Sequence, residues 1–133
     1  MYEVLVPVDQ NENRALHQAK YVAGLPDAAE AVEATVMYVV PPGELDRAEE
    51  VEFELVDAAV TAAEHLESAG VSVNRVVEDG GVSQEIVRSA DDLDCDELVM
   101  GGRKRSPVTK AILGSVTESV VLETDIPVTI TGG

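Results

Sequence analysis

Four of the chain's nine basic residues fall in one short stretch, where they could bind an anion. The sequence has 26 aspartates and glutamates, and its formal net charge is −17. The stretch is 103–110, between the pairs Gly101-Gly102 and Gly114-Ser115. Because so acidic a chain repels phosphate nearly everywhere else, this concentrated positive charge indicates an anion site. The alternative is a solvated loop whose charges merely offset the acidic faces around it.

The residues that flank the basic stretch are those that a phosphate site needs. Gly114-Ser115 opens the last predicted helix, and the free N–H groups and dipole of a helix start favour a bound phosphate. Glycine at 114 would let the backbone approach the anion, and the hydroxyl of Ser115 could donate a further hydrogen bond. Glycine at 101 would remove a Cβ that could block a nucleotide. These glycines, taken together with the charge, favour nucleotide binding.

Several other kinds of chemistry have little support. The chain has no G-x-x-x-x-G-K-[ST] motif, and Pro7-Val8-Asp9-Gln10 stands where a dinucleotide-binding fold would carry G-x-G-x-x-G. His17 and His65 have no partner at metal-ligand spacing, and Cys95 has no nearby histidine. Because no nucleophile–base pair can be named, we expect a binding protein and not an enzyme. Any hydrolysis of a bound nucleotide is expected to be slow.

The elements that must position these residues alternate between strands and helices. Apolar runs predict five strands, at Val4–Val8, Val32–Val40, Val71–Val77, Glu97–Met100 and Pro127–Thr131. The first helix is expected to be capped by Asn11 or Asn13 and to end before Gly24, and a long second helix is expected from about Leu45, with Val51 and Leu55 on its apolar face. Ser83 could cap the third helix, which turns Ile86, Val87 and Ala90 inward. The last helix covers Ile112 to Leu122.

This order predicts a three-layer, doubly wound α/β fold with Rossmann-like topology in a single domain, residues 1–133. Right-handed crossovers give a sheet of five mainly parallel strands with helices on both faces. Ligands of such sheets bind beyond the carboxyl ends of the strands, where the strand order reverses. We therefore expect a crevice between the ends of strands 1 and 4, at Asp9 and Gly101-Gly102.

Composition indicates a cytoplasmic protein that avoids membranes and nucleic acids. No apolar run approaches the roughly 18 residues of a membrane span, and the first ten residues lack the basic region of a secretory signal. The surface would repel nucleic-acid phosphates. Only three lysines accompany the large negative charge. We interpret this as adaptation to a salt-rich cytoplasm, where screening relieves the self-repulsion.

The sequence resembles the universal stress protein family, in the adenine-nucleotide α-hydrolase-like group of folds, over its full length. The resemblance rests on Val6-Pro7-Val8-Asp9, Met100-Gly101, the run 114–120 and the closing Asp125-Ile126-Pro127-Val128. ATP-binding members of the family carry glycine, two residues, glycine, nine residues, and then glycine with serine or threonine. Here Gly101 and Gly114-Ser115 fit that spacing, and Lys104 replaces the second glycine.

The resemblance implies which residues form an ATP site. Asp9 would hydrogen-bond adenine or ribose, and Mg²⁺ could accompany the phosphates. Lys104 would either strain the backbone and crowd a phosphate or contact the phosphates through its ammonium group. The residues implied at the adenosine end are Pro7, Val8, Asp9 and Val39. Those implied at the ribose and phosphates are Met100, Gly101, Arg103, Lys104, Gly114, Ser115 and Val116.

The resemblance also bears on assembly and on the alternatives. Many members of the family dimerise through their last strand, which predicts a homodimer through Ile126 to Thr131. One alternative is a universal stress protein that has lost nucleotide binding and acts as a dimeric interaction module. Another is a receiver domain of a response regulator, in which Asp9 and Asp79 would imitate the acidic residues, although the lysine expected after strand 5 is missing.

Overall fold

The structure, a computed structural model, describes residues 1–43, 51–102 and 113–132. None of the helices within these ranges is both long and apolar enough to span a membrane. A short 3₁₀ turn covers Phe53–Leu55. The strands are β1 (Tyr2–Val8), β2 (Val32–Val40), β3 (Ser72–Asp79), β4 (Glu97–Gly101) and β5 (Val128–Thr131). The helices are α1 (Glu12–Ala23), α2 (Ala28–Ala31), α3 (Asp57–Ser68), α4 (Val82–Asp92) and α5 (Ser115–Glu123).

The five strands form one sheet in the order β3-β2-β1-β4-β5, and all of the neighbouring pairs are parallel. The order reverses between β1 and β4, which confirms the predicted doubly wound α/β fold. Receiver domains have the order 2-1-3-4-5. Here β3 lies at an edge, with β2 between it and β1, so the ends of β1 and β3 that carry Asp9 and Asp79 are not neighbours. The receiver interpretation is therefore wrong.

Two apolar cores lie on opposite faces of the sheet. Alternate residues of β1 point to opposite faces, so that Val4 and Val6 join one core and Leu5 joins the other. The first core contains the alanine-rich faces of α1 and α3. The second contains Ile86 of α4 and Val120 of α5. Helices therefore cover both faces, as the prediction required.

Strands β1 and β4 separate at their carboxyl ends. The pairing of β1 with β2 runs over seven residues, whereas its pairing with β4 covers only Val4 with Glu97 and Leu5 with Leu98. Beyond that point the two strands are bridged by Gln18 of α1, a buried residue. Its Nε2 donates to the carbonyl oxygens of Pro7 at 2.7 Å and Val99 at 2.9 Å. Where the strands separate, the side chain of Gln18 thus replaces the backbone hydrogen bonds between them.

Several helix starts differ from the sequence prediction. Helix α3 begins at Asp57, because Val56 is extended (φ −102°, ψ 99°), and Leu55 is 69% exposed instead of facing the core. The predicted start near Leu45 lies outside the described residues. The N-cap of α4 is Gly81 and not Ser83, which lies within the first turn of the helix. Helix α5 begins at Ser115, after a non-helical Gly114, and not at Ile112.

Candidate functional site

A cavity of about 160 Å³ opens at the carboxyl edge of the sheet, where β1 and β4 separate. Four elements besides β1 contribute to it, because the ends of parallel strands and the starts of the helices that follow meet at this edge. The lining residues within the described ranges are Pro7, Val8, Asp9, Arg14, Gln18, Val82, Ile86, Met100, Gly101, Gly114, Ser115, Val116 and Thr117.

Eight of the eleven residues predicted for the site line this cavity. Val39 does not: it is buried in β2, in the same apolar core as Met100. Arg103 and Lys104, like the rest of the basic stretch 103–110, lie outside the described residues. The eight that come together are Pro7, Val8, Asp9, Met100, Gly101, Gly114, Ser115 and Val116.

The start of α5 presents backbone donors to the cavity. Gly114 is the N-cap residue, and since it has no side chain it cannot accept a hydrogen bond from the first turn of the helix. The N–H groups of a first turn have no partner within the helix. Ser115 and Val116 therefore bring to the cavity the kind of donors that bind phosphate oxygens. Gly114 has φ −66° and ψ 158°, a conformation open to any residue.

Helix α1 contributes two lining residues that the sequence analysis missed, Arg14 and Gln18. They are four residues apart, so they share one side of the helix. The apolar periodicity of this helix does not show which of its polar residues face inward. The signal that could have revealed Arg14 and Gln18 is their helical spacing, which places them near the buried residues Ala15 and Val22.

Glycine at 101 has a packing role against α1. A Cβ at this position would lie 3.1 Å from Oε1 of Gln18 and 3.3 Å from Cδ of Arg14. Both distances are shorter than ordinary contacts, so a larger residue would force the side chains of Gln18 and Arg14 to shift. The absence of a side chain at 101 lets Arg14 and Gln18 reach the cavity.

One ion pair lies at the mouth of the cavity. The carboxylate of Asp9 accepts a hydrogen bond from the N–H of Asn11 at 2.8 Å, and its Oδ2 lies 3.2 Å from Nε of Arg14. Asn11 in turn caps α1 by accepting from the N–H of Arg14 at 2.9 Å. The capping of α1 therefore fixes the position of Asp9 at the end of β1, beside the guanidinium group.

The thiol of Cys95 is unsuited to nucleophilic chemistry. It is buried away from the cavity, and burial, with the nearby carboxylates of Glu3, Asp96 and Asp94, raises its pKa to about 11. Because the thiolate is the reactive form, this thiol is almost entirely unreactive at neutral pH. Within the described ranges, no group of three or more His, Cys, Asp or Glu residues could hold a metal ion.

The chain is similar in sequence to known proteins. The model of the universal stress protein family matches residues 1–132. Universal stress protein MJ0577 of Methanocaldococcus jannaschii is 34% identical over 65 residues, which make up 49% of this chain and 40% of that protein. By sequence, then, the match spans less than half of this curated relative.

Solved structures extend the similarity to the whole fold. The structure of MJ0577 has a TM-score of 0.74 at 28% identity and covers 100% of this chain and 97% of its own. A universal stress protein from Archaeoglobus fulgidus has a TM-score of 0.76 at 26% identity, with 98% of each chain covered. A third structure, from Archaeoglobus fulgidus in complex with dAMP, has a TM-score of 0.69 at 20% identity and covers 98% of each chain.

The family model spans nearly the whole sequence, and the sheet has the parallel, doubly wound arrangement of the fold that the resemblance implied. The chain belongs to the universal stress protein family.

Proposed function

We propose that the chain is a nucleotide-responsive universal stress protein that binds ATP at the carboxyl ends of β1 and β4. The observation that carries the proposal is the convergence of eight of the eleven expected residues on one cavity, with the start of α5 at its side. The dAMP complex of a protein with the same fold supports an adenine nucleotide as the class of ligand.

The ligand would lie across the separation of the two strands. Pro7, Val8 and Asp9 would hold the adenosine end, and Met100 and Gly101 would flank the ribose. The phosphates would extend toward the N–H groups at the start of α5. At about 160 Å³ the cavity is smaller than the roughly 300–1,000 Å³ typical of ligand pockets, so part of the nucleotide would lie beyond this lining. Contacts from Arg103, Lys104 and Val39 stay predictions.

The role proposed is binding and signalling, with at most slow hydrolysis. Asp9, the carboxylate in the described lining, is already paired with Arg14 and is not a free general base. Mg²⁺ would be held by the phosphates of ATP and not by a dedicated set of carboxylates. We also propose that the protein works in a salt-rich cytoplasm as a homodimer joined through β5.

Gly114→Val tests where the phosphates bind. Because the backbone at 114 suits any residue, the fold should tolerate valine, while the new side chain would occupy the phosphate position. We expect ATP affinity, measured by calorimetry at high salt, to fall by at least about tenfold, or about 1.4 kcal/mol. Gly43→Val is the control, since no atom of the described residues lies within 4 Å of a Cβ at 43.

Two results would contradict this proposal in different ways. Unchanged ATP affinity in Gly114→Val would place the site elsewhere. A wild-type chain that binds no adenine nucleotide would favour the dimeric interaction module instead.

A further inference from the structure

Arg14 is held over the end of β4 in a defined position. Its backbone lies in the first turn of α1, which Asn11 caps, and its side chain is only 27% exposed. The stem packs where glycine at 101 leaves room, since a Cβ there would be 3.3 Å from Cδ and 3.4 Å from Cβ of Arg14. The side chain of Arg14 therefore lines the cavity, with its Nε buried.

The Nε of Arg14 lacks a hydrogen-bond acceptor among the described residues. This atom is 3.2 Å from Oδ2 of Asp9, yet the geometry does not make a hydrogen bond. This Nε is buried, and none of the described residues accepts from it. Buried donors are nearly always paired in native proteins, so an unpaired one calls for an explanation. A ligand oxygen in the cavity would supply the missing acceptor.

The charges of the lining also favour this role. Among the described lining residues, Arg14 is the cation and Asp9 the anion, and the others are uncharged. An anionic ligand that approaches a chain of net charge −17 must overcome repulsion, including that of Asp9. Arg14 offsets the charge of Asp9 and is long enough to turn from it toward a ligand.

We propose that Arg14 is a ligand-binding residue that donates hydrogen bonds to a phosphate oxygen of the nucleotide. The planar guanidinium group suits phosphate, which it can contact with two parallel hydrogen bonds. This inference rests on the proposed function, and it assigns to α1 a share in anion recognition.

The test compares ligands of increasing charge by calorimetry at one fixed salt concentration. For Arg14→Gln we expect at least about tenfold weaker binding of ATP, a smaller loss for AMP and less than about a twofold change for adenosine. Arg14→Lys keeps the charge but not the paired donors, so its loss should be intermediate. Arg14→Lys also tests the proposal if Arg14→Gln fails to fold.

Arg88→Gln is the matched control, because it removes the same charge from an exposed arginine. Arg88 lies on α4 outside the cavity lining, and it pairs with Glu85 and Asp92. The affinities of Arg88→Gln for ATP, AMP and adenosine should equal those of the wild type. If they fall in parallel with those of Arg14→Gln, a general effect of net charge explains the data and the inference is overturned.

A double-mutant cycle with Asp9→Asn distinguishes two roles of Arg14. Arg14 either contacts the phosphate directly or only positions Asp9. We expect the ATP penalty of Arg14→Gln to persist in the Asp9→Asn background. A penalty that vanishes there, or that is equal for adenosine and ATP, would overturn the inference while the nucleotide site stands. A wild-type chain that binds none of the three ligands would overturn both proposals.

Discussion

Glu97 is a buried carboxylate that joins three other elements to β4. It is 4% exposed, and it accepts hydrogen bonds from the hydroxyl groups of Tyr2 at 2.7 Å, Tyr21 at 2.8 Å and Thr129 at 2.5 Å. These donors come from β1, α1 and β5. A buried carboxylate is tolerated only when such donors satisfy it. Glu97 is therefore a structural residue, at the opposite end of β4 from the cavity.

Glu97→Gln should destabilise the fold. The amide has one acceptor oxygen, and its NH₂ group would face a hydroxyl that now donates to the carboxylate. We expect the free energy of unfolding, measured with denaturant, to fall by about 1–3 kcal/mol. Glu30→Gln removes the same charge from an exposed site on α2 and should change it by less than about 0.5 kcal/mol. Equal stabilities of the two variants would contradict the role assigned to Glu97.

Tyr2 should make stability depend on pH in the alkaline range. The hydrogen bond to Glu97, with some burial, raises the pKa of Tyr2 to about 12 from its ordinary value of 10.0. The folded state therefore favours the neutral phenol, and the resulting stability is complete below pH 10. It is lost as the pH rises from about 10 to 12. The free energy of unfolding of Tyr2→Phe should fall less than that of the wild type over this pH interval. An equal fall for the two proteins would refute this prediction.

At the scale of elements, β5 is a strand at an edge of the sheet. It carries one exposed large apolar side chain, that of Ile130. The carbonyls of Pro127 and Thr131 accept from β4, so by the alternation of a strand the N–H groups of Val128 and Ile130 point outward. An unpaired edge of this kind favours pairing with a second copy about a two-fold axis.

Val128→Pro should dissociate the expected homodimer. Proline removes an outward N–H while the hydrogen bonds of β5 to β4 remain, so the monomer should still fold. Val128→Ala keeps the N–H and should remain dimeric. Light scattering in molar KCl measures the molar mass of both variants. A wild-type chain that is monomeric under these conditions would contradict the proposed dimer.

The accuracy of the sequence prediction varied between elements for physical reasons. The bounds of β2 were predicted correctly, since seven of its nine residues are apolar and Pro41 stops it. The start of α3 was wrong, because helical spacing of apolar residues continues through a segment whose backbone at Val56 is extended. Arg14 and Gln18 were missed because hydrophobic periodicity does not show when a polar residue faces inward.

At the scale of the whole molecule, the net charge of −17 should make stability depend on salt. Folding brings carboxylates closer together, and their repulsion is screened when the Debye length falls to about 3 Å at 1 M salt. We expect the midpoint temperature of thermal unfolding to rise between about 0.1 and 3 M KCl. Sucrose, which stabilises without screening charge, is the control. A midpoint that does not change with KCl would contradict adaptation to salt.

The short pairing of β1 with β4 has a consequence for the time at which the site forms. Leu5 and Leu98, which are paired across the two strands, stand 93 positions apart in the chain. At about 5–20 residues per second, the ribosome makes β4 roughly five to twenty seconds after β1. During this interval β1 can pair with β2 alone, and the edge that will border the cavity stays open. Any ligand of the crevice therefore binds only after β4 and α5 have emerged, and it stabilises the finished fold without assisting its early steps.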